Sequence, residues 1–174
     1  MKLKLFISFL LGSVLVLLLN IVFSNKDTDP YIGDMPEDQV VNSAPAIQMY
    51  FYIKKYAKKY GIPESYAFAC AYQETRYEGP LDLDYNHKQE SHAGAVGPMQ
   101  IITKWAHPFA GRRVSEHELK HNIKLNVEIS MKMLRKWYTM YHDWELAFGA
   151  YNTGRPVRNS YARAIVNEQY QWEK

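Results

Sequence analysis

Apolar and polar positions divide the chain into three regions. Leu5 to Phe23 is a nearly unbroken apolar run of about 19 residues, enough at a helical rise of about 1.5 Å per residue to cross a bilayer core of about 30 Å. Lys2 and Lys4 precede it and Lys26 is followed by Asp27 and Asp29, a charge asymmetry that predicts an exported body behind a cytoplasmic N-terminus. The apolar core exceeds the roughly 7–15 residues of a signal peptide, which favours a retained anchor over residues 1–24; cleavage near Val22-Phe23-Ser24 is the alternative. Residues 25–45 mix Asp, Pro, Gly, Asn and Ser with little periodicity and predict a linker without chemistry.

From Ala46 onward the period is helical. Ile47, Tyr50, Phe51, Ala57 and Tyr60 form a stripe that Gly61 stops, and Lys54, Lys55, Lys58 and Lys59 form a polar face read as solvated. Pro63 sits near the start of a second helix that carries Tyr66 to Glu74. Thr75 to Ala93 suits neither period and predicts a long loop, which in a compact domain is usually functional. Short helical pieces are expected over Met99–Trp105 and Glu116–Leu119, then helices over Asn122–Tyr141, Glu145–Tyr151 and Val157–Tyr170, the second ended by Asn152-Thr153-Gly154. No segment alternates for long with a strand period. The expectation is one all-α domain over residues 46–174.

Composition narrows the function. Two of the 21 basic residues, Lys2 and Lys4, belong to the N-terminal segment, leaving 19 against 18 acidic ones in the remainder. A nearly neutral body lacks the basic footprint of a nucleic-acid binder. Its 14 tyrosines suit both packing and a wet, sugar-holding groove. The single cysteine, Cys70, excludes an intrachain disulfide and reads as a small buried thiol within Tyr66-Ala67-Phe68-Ala69-Cys70-Ala71. No lipid-attachment cysteine follows the apolar run.

Three glutamates compete for acid chemistry. A carboxylic acid that donates a proton near neutral pH needs a raised pKa, which burial against apolar groups provides. Glu74 follows Ala67, Phe68, Ala71 and Tyr72 on a helix and has that setting. Glu90 precedes Ser91 but follows Asn86-His87-Lys88, with no apolar helix to enclose it, and reads as a solvated loop residue. Glu118 lies in His117-Glu118-Leu119-Lys120-His121, a literal HExxH that would offer two imidazoles to zinc. Arg112, Arg113, Glu116, Lys120 and Lys124 surround that motif with charge, and neither Glu128 nor Glu145 carries a motif as third ligand, so a metal is not called for. His87, His92, His107 and His142 lack paired spacing and read as surface residues.

A helix ending in Glu74, a loop with Ser91, then Gly94-Ala95 and Gly97-Pro98-Met99-Gln100-Ile101, and later Ala150-Tyr151-Asn152-Thr153-Gly154, resembles the soluble lytic transglycosylase family over roughly Ala46 to Tyr170. The resemblance implies a lysozyme-like helical fold and cleavage of the β-1,4 bond between N-acetylmuramic acid and N-acetylglucosamine in peptidoglycan, leaving a 1,6-anhydro sugar. It implies that Glu74 is the lone catalytic acid and that Tyr151 orients it and stabilises the reacting centre. Ser91 and Gln100 match positions that bond near the central sugar. Gly97 and Met99 belong to the turn that shapes the sugar site, and Asn152 closes its helix end beside it. Thr75 stands where the family has Ser, Pro98 where Leu is common, and the loop from Glu74 to Gly97 is long. No cofactor is implied. The expected partners are peptidoglycan glycan strands and, through the N-terminal helix, the bacterial inner membrane, with the body facing the periplasm or cell wall; secretion is the alternative. Asp82, Asp84 and Glu78 in the loop could supply a second carboxylate, which leaves a goose-type lysozyme-like hydrolase open. A zinc peptidase and a non-catalytic wall-binding module are more distant readings.

Overall fold

The computed structural model describes residues 35–167. The apolar run of residues 5–23, and the anchor, cleavage and membrane readings drawn from it, lie outside them. Among the described residues no helix is long and apolar enough to cross a membrane.

The described chain is mostly helical: α1 (Glu37–Val41), α2 (Pro45–Tyr60), α3 (Glu64–Thr75), α4 (Thr103–Ala110), α5 (Glu116–His121), α6 (Ile123–Tyr141), α7 (Trp144–Thr153) and α8 (Ser160–Asn167). Local signals explain most of the boundaries. Gly61 and Gly154 end α2 and α7 in the left-handed conformation that glycine adopts without penalty. Ser115, Asn122 and Asp143 cap α5, α6 and α7, each accepting a backbone N–H three residues on.

The long helix α6 organises the domain, packing against α2, α4, α5 and α7. In turn α7 packs on α8, and α3 is held between α2 and α8. Met49 and Ile53 of α2, Phe68 of α3, Val127 and Leu134 of α6, Phe148 of α7 and Ile165 of α8 share one buried cluster. Tyrosines contribute heavily to that packing: Tyr52 and Tyr77 are fully buried, and Tyr52, Tyr56 and Tyr60 stack in sequence along α2.

Three departures from the sequence expectation are local. The supposed linker contains α1, where Val40 is buried and Glu37 bonds Lys55 and Lys124, each at 2.7 Å. The stretch expected as a helix from Met99 begins instead with a strand: β1 (Ala95–Val96) pairs antiparallel with β2 (Ile101–Ile102), Val96 opposite Ile101. Two residues per strand are too few to show alternation. The last helix starts at Ser160 rather than Val157, because Asn159 Oδ1 accepts the Ala162 N–H at 2.8 Å and sets the first turn there.

Candidate active site

Glu74 is the penultimate residue of α3. The helix is lined with small residues, Ala67, Cys70 and Ala71, whose fully buried side chains allow neighbouring elements to approach closely. Glu74 is half-buried, and burial pushes its carboxyl up to about 7; a hydrogen bond from Tyr161 acts in the opposite direction and is the weaker influence. Tyr161 Oη donates to Glu74 Oε1 at 2.5 Å. Among the described residues no charged side chain acts on Glu74.

Thr75, the next residue, anchors this end of the helix. Its Oγ1 donates to the Pro98 carbonyl at 2.9 Å and lies 2.7 Å from Tyr85 Oη, which therefore donates to it. The Gly97–Gln100 turn is thereby tied directly to the residue beside the acid. Asn126 holds the turn from the opposite side: Oδ1 accepts the Met99 N–H, and Nδ2 donates to Val96 O and Leu119 O, each at 3.0 Å. Asn126 is completely buried and satisfied, as a core amide must be. It also explains Gly97. With φ at +79°, a Cβ there would come 2.4 Å from Asn126 Nδ2 and 2.6 Å from Leu119 O.

The remaining sequence-derived positions fall around this turn. Gln100 adopts φ +48°, and its Nε2 closes the turn through Gly97 O at 2.9 Å and Gln89 O at 3.2 Å. Ser91 Oγ accepts the Ala95 N–H at 3.0 Å. The Tyr151 hydroxyl is the donor to both Met99 O at 2.7 Å and Ser130 Oγ at 2.9 Å, sharing its proton between the two acceptors. Met99 is consequently gripped at both ends of its backbone, by Asn126 and Tyr151. Asn152 is exposed and accepts from Asn159 Nδ2 at 3.1 Å.

The hydroxyl bonded to Glu74 thus comes from Tyr161, and that of Tyr151 serves the turn, although Tyr151 lies close enough for the Glu74 charge to raise its pKa along with burial. The segment joining α7 to α8 places Tyr161. Arg158 reaches Asp143 and Glu145 at 2.6 Å each, and the backbone of Val157 crosses so close to Gly149 that a Cβ there would meet Val157 O at 1.7 Å. No sequence signal marked Tyr161. Asn126 and Ser130 did carry one: they are polar residues one turn apart on the apolar face of α6.

The competing glutamates are held elsewhere. Glu90 is exposed and pairs with Lys120 at 2.8 Å. Arg112 grips both carboxylate oxygens of Glu118, while the His117 and His121 rings stack at 4.1 Å. Among the described residues no group of three His, Cys, Asp or Glu side chains is arranged to hold a metal ion.

The family profile described as Transglycosylase SLT domain matches residues 51–171, which takes in Glu74, the turn, Tyr151 and Tyr161. The chain belongs to the transglycosylase SLT family. None of the curated proteins compared matches it. Among the described residues of this SLT domain, the half-buried Glu74 carboxyl has one hydroxyl donor and no charged side chain acting on it, a setting equipped to hold a proton near neutral pH.

Proposed function

We propose that the protein is a peptidoglycan lytic transglycosylase in which Glu74 acts as both general acid and general base. The observation that carries this reading is the setting of Glu74: half-buried, raised to about 7, bonded by Tyr161 and, among the described residues, free of any carboxylate that acts on it. Glu78 and Asp84 are exposed, and the charge of Asp82 bears on Tyr77 and Tyr85 rather than on Glu74.

In the proposed cycle Tyr161 donates to Oε1, so that the acidic proton of Glu74 resides on Oε2. That proton passes to the glycosidic oxygen as the bond to the anomeric carbon of N-acetylmuramic acid breaks and the ring becomes oxocarbenium-like. Tyr161 stabilises the resulting carboxylate. The carboxylate then takes the proton of the muramic 6-hydroxyl while that oxygen bonds to the anomeric carbon. The products are a 1,6-anhydromuramic end and a free 4-hydroxyl on N-acetylglucosamine, with Glu74 again protonated. The substrate supplies the nucleophile, so the cycle needs neither water nor a second carboxylate.

Ser91, Gly97, Met99, Gln100 and Asn152 are proposed to shape the sugar site, the first four through the turn that Asn126, Thr75 and Tyr151 brace. Leu5–Phe23, with Lys2 and Lys4 before it, supports placing the catalytic body outside the bacterial inner membrane, facing the wall. The test is mass analysis of muropeptides released from purified walls by the full chain and by Glu74→Gln. Anhydro ends are expected from the wild type, and a loss of roughly 10²–10⁴-fold from the variant. Reducing ends would establish a hydrolase instead, and an active Glu74→Gln would remove Glu74 from the mechanism.

A further inference from the structure

Cys70 and Glu74 are four residues apart on α3, so their side chains leave the same face of the helix one above the other. The phenolic oxygen of Tyr161, brought in by α8, sits against both, 2.5 Å from Glu74 Oε1 and 3.4 Å from Cys70 Sγ. A phenol has one proton, and the short contact to the carboxylate uses it, so the contact with sulfur is available only to a donor. Burial and the charge of Glu74 push the Cys70 thiol well above its ordinary value, which leaves the sulfur protonated at working pH. With Glu74 Oε1 as the acceptor, one ordering satisfies all three groups: sulfur donates to the phenol, and the phenol donates to the carboxyl oxygen.

We propose that Cys70 is a positioning residue whose thiol, by donating to Tyr161 Oη, holds the phenolic proton on Glu74 Oε1 and keeps Oε2 as the oxygen that exchanges protons with substrate. The proposal rests on the transglycosylase reading only for that last, kinetic consequence; the bonded chain is a property of the folded protein. Among the described residues the groups on which the Glu74 charge acts are Cys70 on its own helix, Tyr161 from α8 and Tyr151 from α7, none of which is charged at neutral pH. A change at Cys70 therefore reaches Glu74 through Tyr161, with no ion pair to obscure it.

The competing account makes Cys70 a space-filling residue, and the two separate by titration. Glutamate is labelled at its carboxyl carbon in the full chain, the Glu74 signal is assigned by its loss in Glu74→Gln, and its midpoint is followed by NMR in Cys70→Ala and Cys70→Ser. A donor that polarises the next hydrogen bond strengthens it by about 10–30%, so for a charge-assisted bond Cys70→Ala is expected to raise the midpoint by about 0.1–0.7 pH units. Cys70→Ser keeps a donor on the same Cβ and is expected to move it less than half as far. In a Tyr161→Phe background Cys70→Ala is expected to move it not at all. If the void left by alanine unfolds the chain, Cys70→Val makes the same comparison with the volume filled. Equal shifts in the alanine and serine variants, no shift in either, or a shift that survives Tyr161→Phe would overturn the proposal. The titration does not depend on turnover, so a chain that proves not to be a transglycosylase would leave it standing or falling by itself. With the transglycosylase reading upheld, the high-pH limb of kcat/KM is expected to follow the midpoint in every variant.

Discussion

Tyr161 bonds Glu74 at 2.5 Å across a separation of 87 positions in the chain. The bond joins the end of α3 to the start of α8 and engages Oε1 of Glu74, and in the proposed cycle Oε2 exchanges the proton.

The first consequence is a pH dependence. In the proposed cycle the active form carries protonated Glu74, so kcat/KM is expected to be level below about pH 7 and to fall about tenfold per unit above it. Stability follows the same group. The folded value lies above the unfolded value of 4.5, so the folded state holds the extra proton; the associated stability is complete below about pH 4.5 and is lost as pH rises through about 7. Glu74→Gln, which does not titrate, should gain on the wild type over that window. Discounted for partial solvent access, the gain is roughly 1–2 kcal/mol at pH 8 and vanishes near pH 4. Thermal unfolding of both proteins at the two pH values checks it.

The two tyrosines near Glu74 should fail differently. Tyr161→Phe removes a hydrogen bond worth about 1.5–3 kcal/mol to the charged form, so kcat/KM should drop roughly 10–100-fold and its high-pH limb should move upward. Tyr151→Phe instead leaves Met99 O and Ser130 Oγ short of a partner, which should cost about 1–3 kcal/mol in urea unfolding with the limb in place. A shifted limb in Tyr151→Phe alone would exchange their roles.

The turn should be intolerant at Gly97 and Asn126. Gly97→Ala adds both a left-handed residue and a Cβ inside van der Waals contact of Leu119 O and Asn126, for an expected loss of at least about 2 kcal/mol. Asn126→Ala strands three buried backbone groups and should cost about 2–4 kcal/mol. Denaturant midpoints measure both, and a near-neutral result at either site would show that the turn is held by other contacts.

The HExxH segment should be dispensable. With Glu118 engaged by Arg112, removing metal with a chelator, or making His117→Ala with His121→Ala, is expected to leave wall clearance within about twofold. Stoichiometric zinc together with chelator-sensitive clearance would restore the peptidase reading.

What could be read from the chain alone was what depends on near neighbours. Apolar stripes and the stops at Gly61 and Gly154 act within a turn or two, so the longer helices were legible, whereas α1 was read as linker and α4 was placed several residues early. The prominence of Glu74 was legible too, because the small and apolar residues that enclose it precede it on the same helix. The hairpin of β1 and β2 was not, being too short to show a period. Nor was the bond to Glu74 from Tyr161, with Tyr151 bonded to the turn, which depends on where the backbone of Val157 crosses Gly149 and where Asn159 starts α8. A hydroxyl's partner is decided by the packing of helices distant in sequence, and only the folded chain places the phenol of Tyr161 between Cys70 and Glu74.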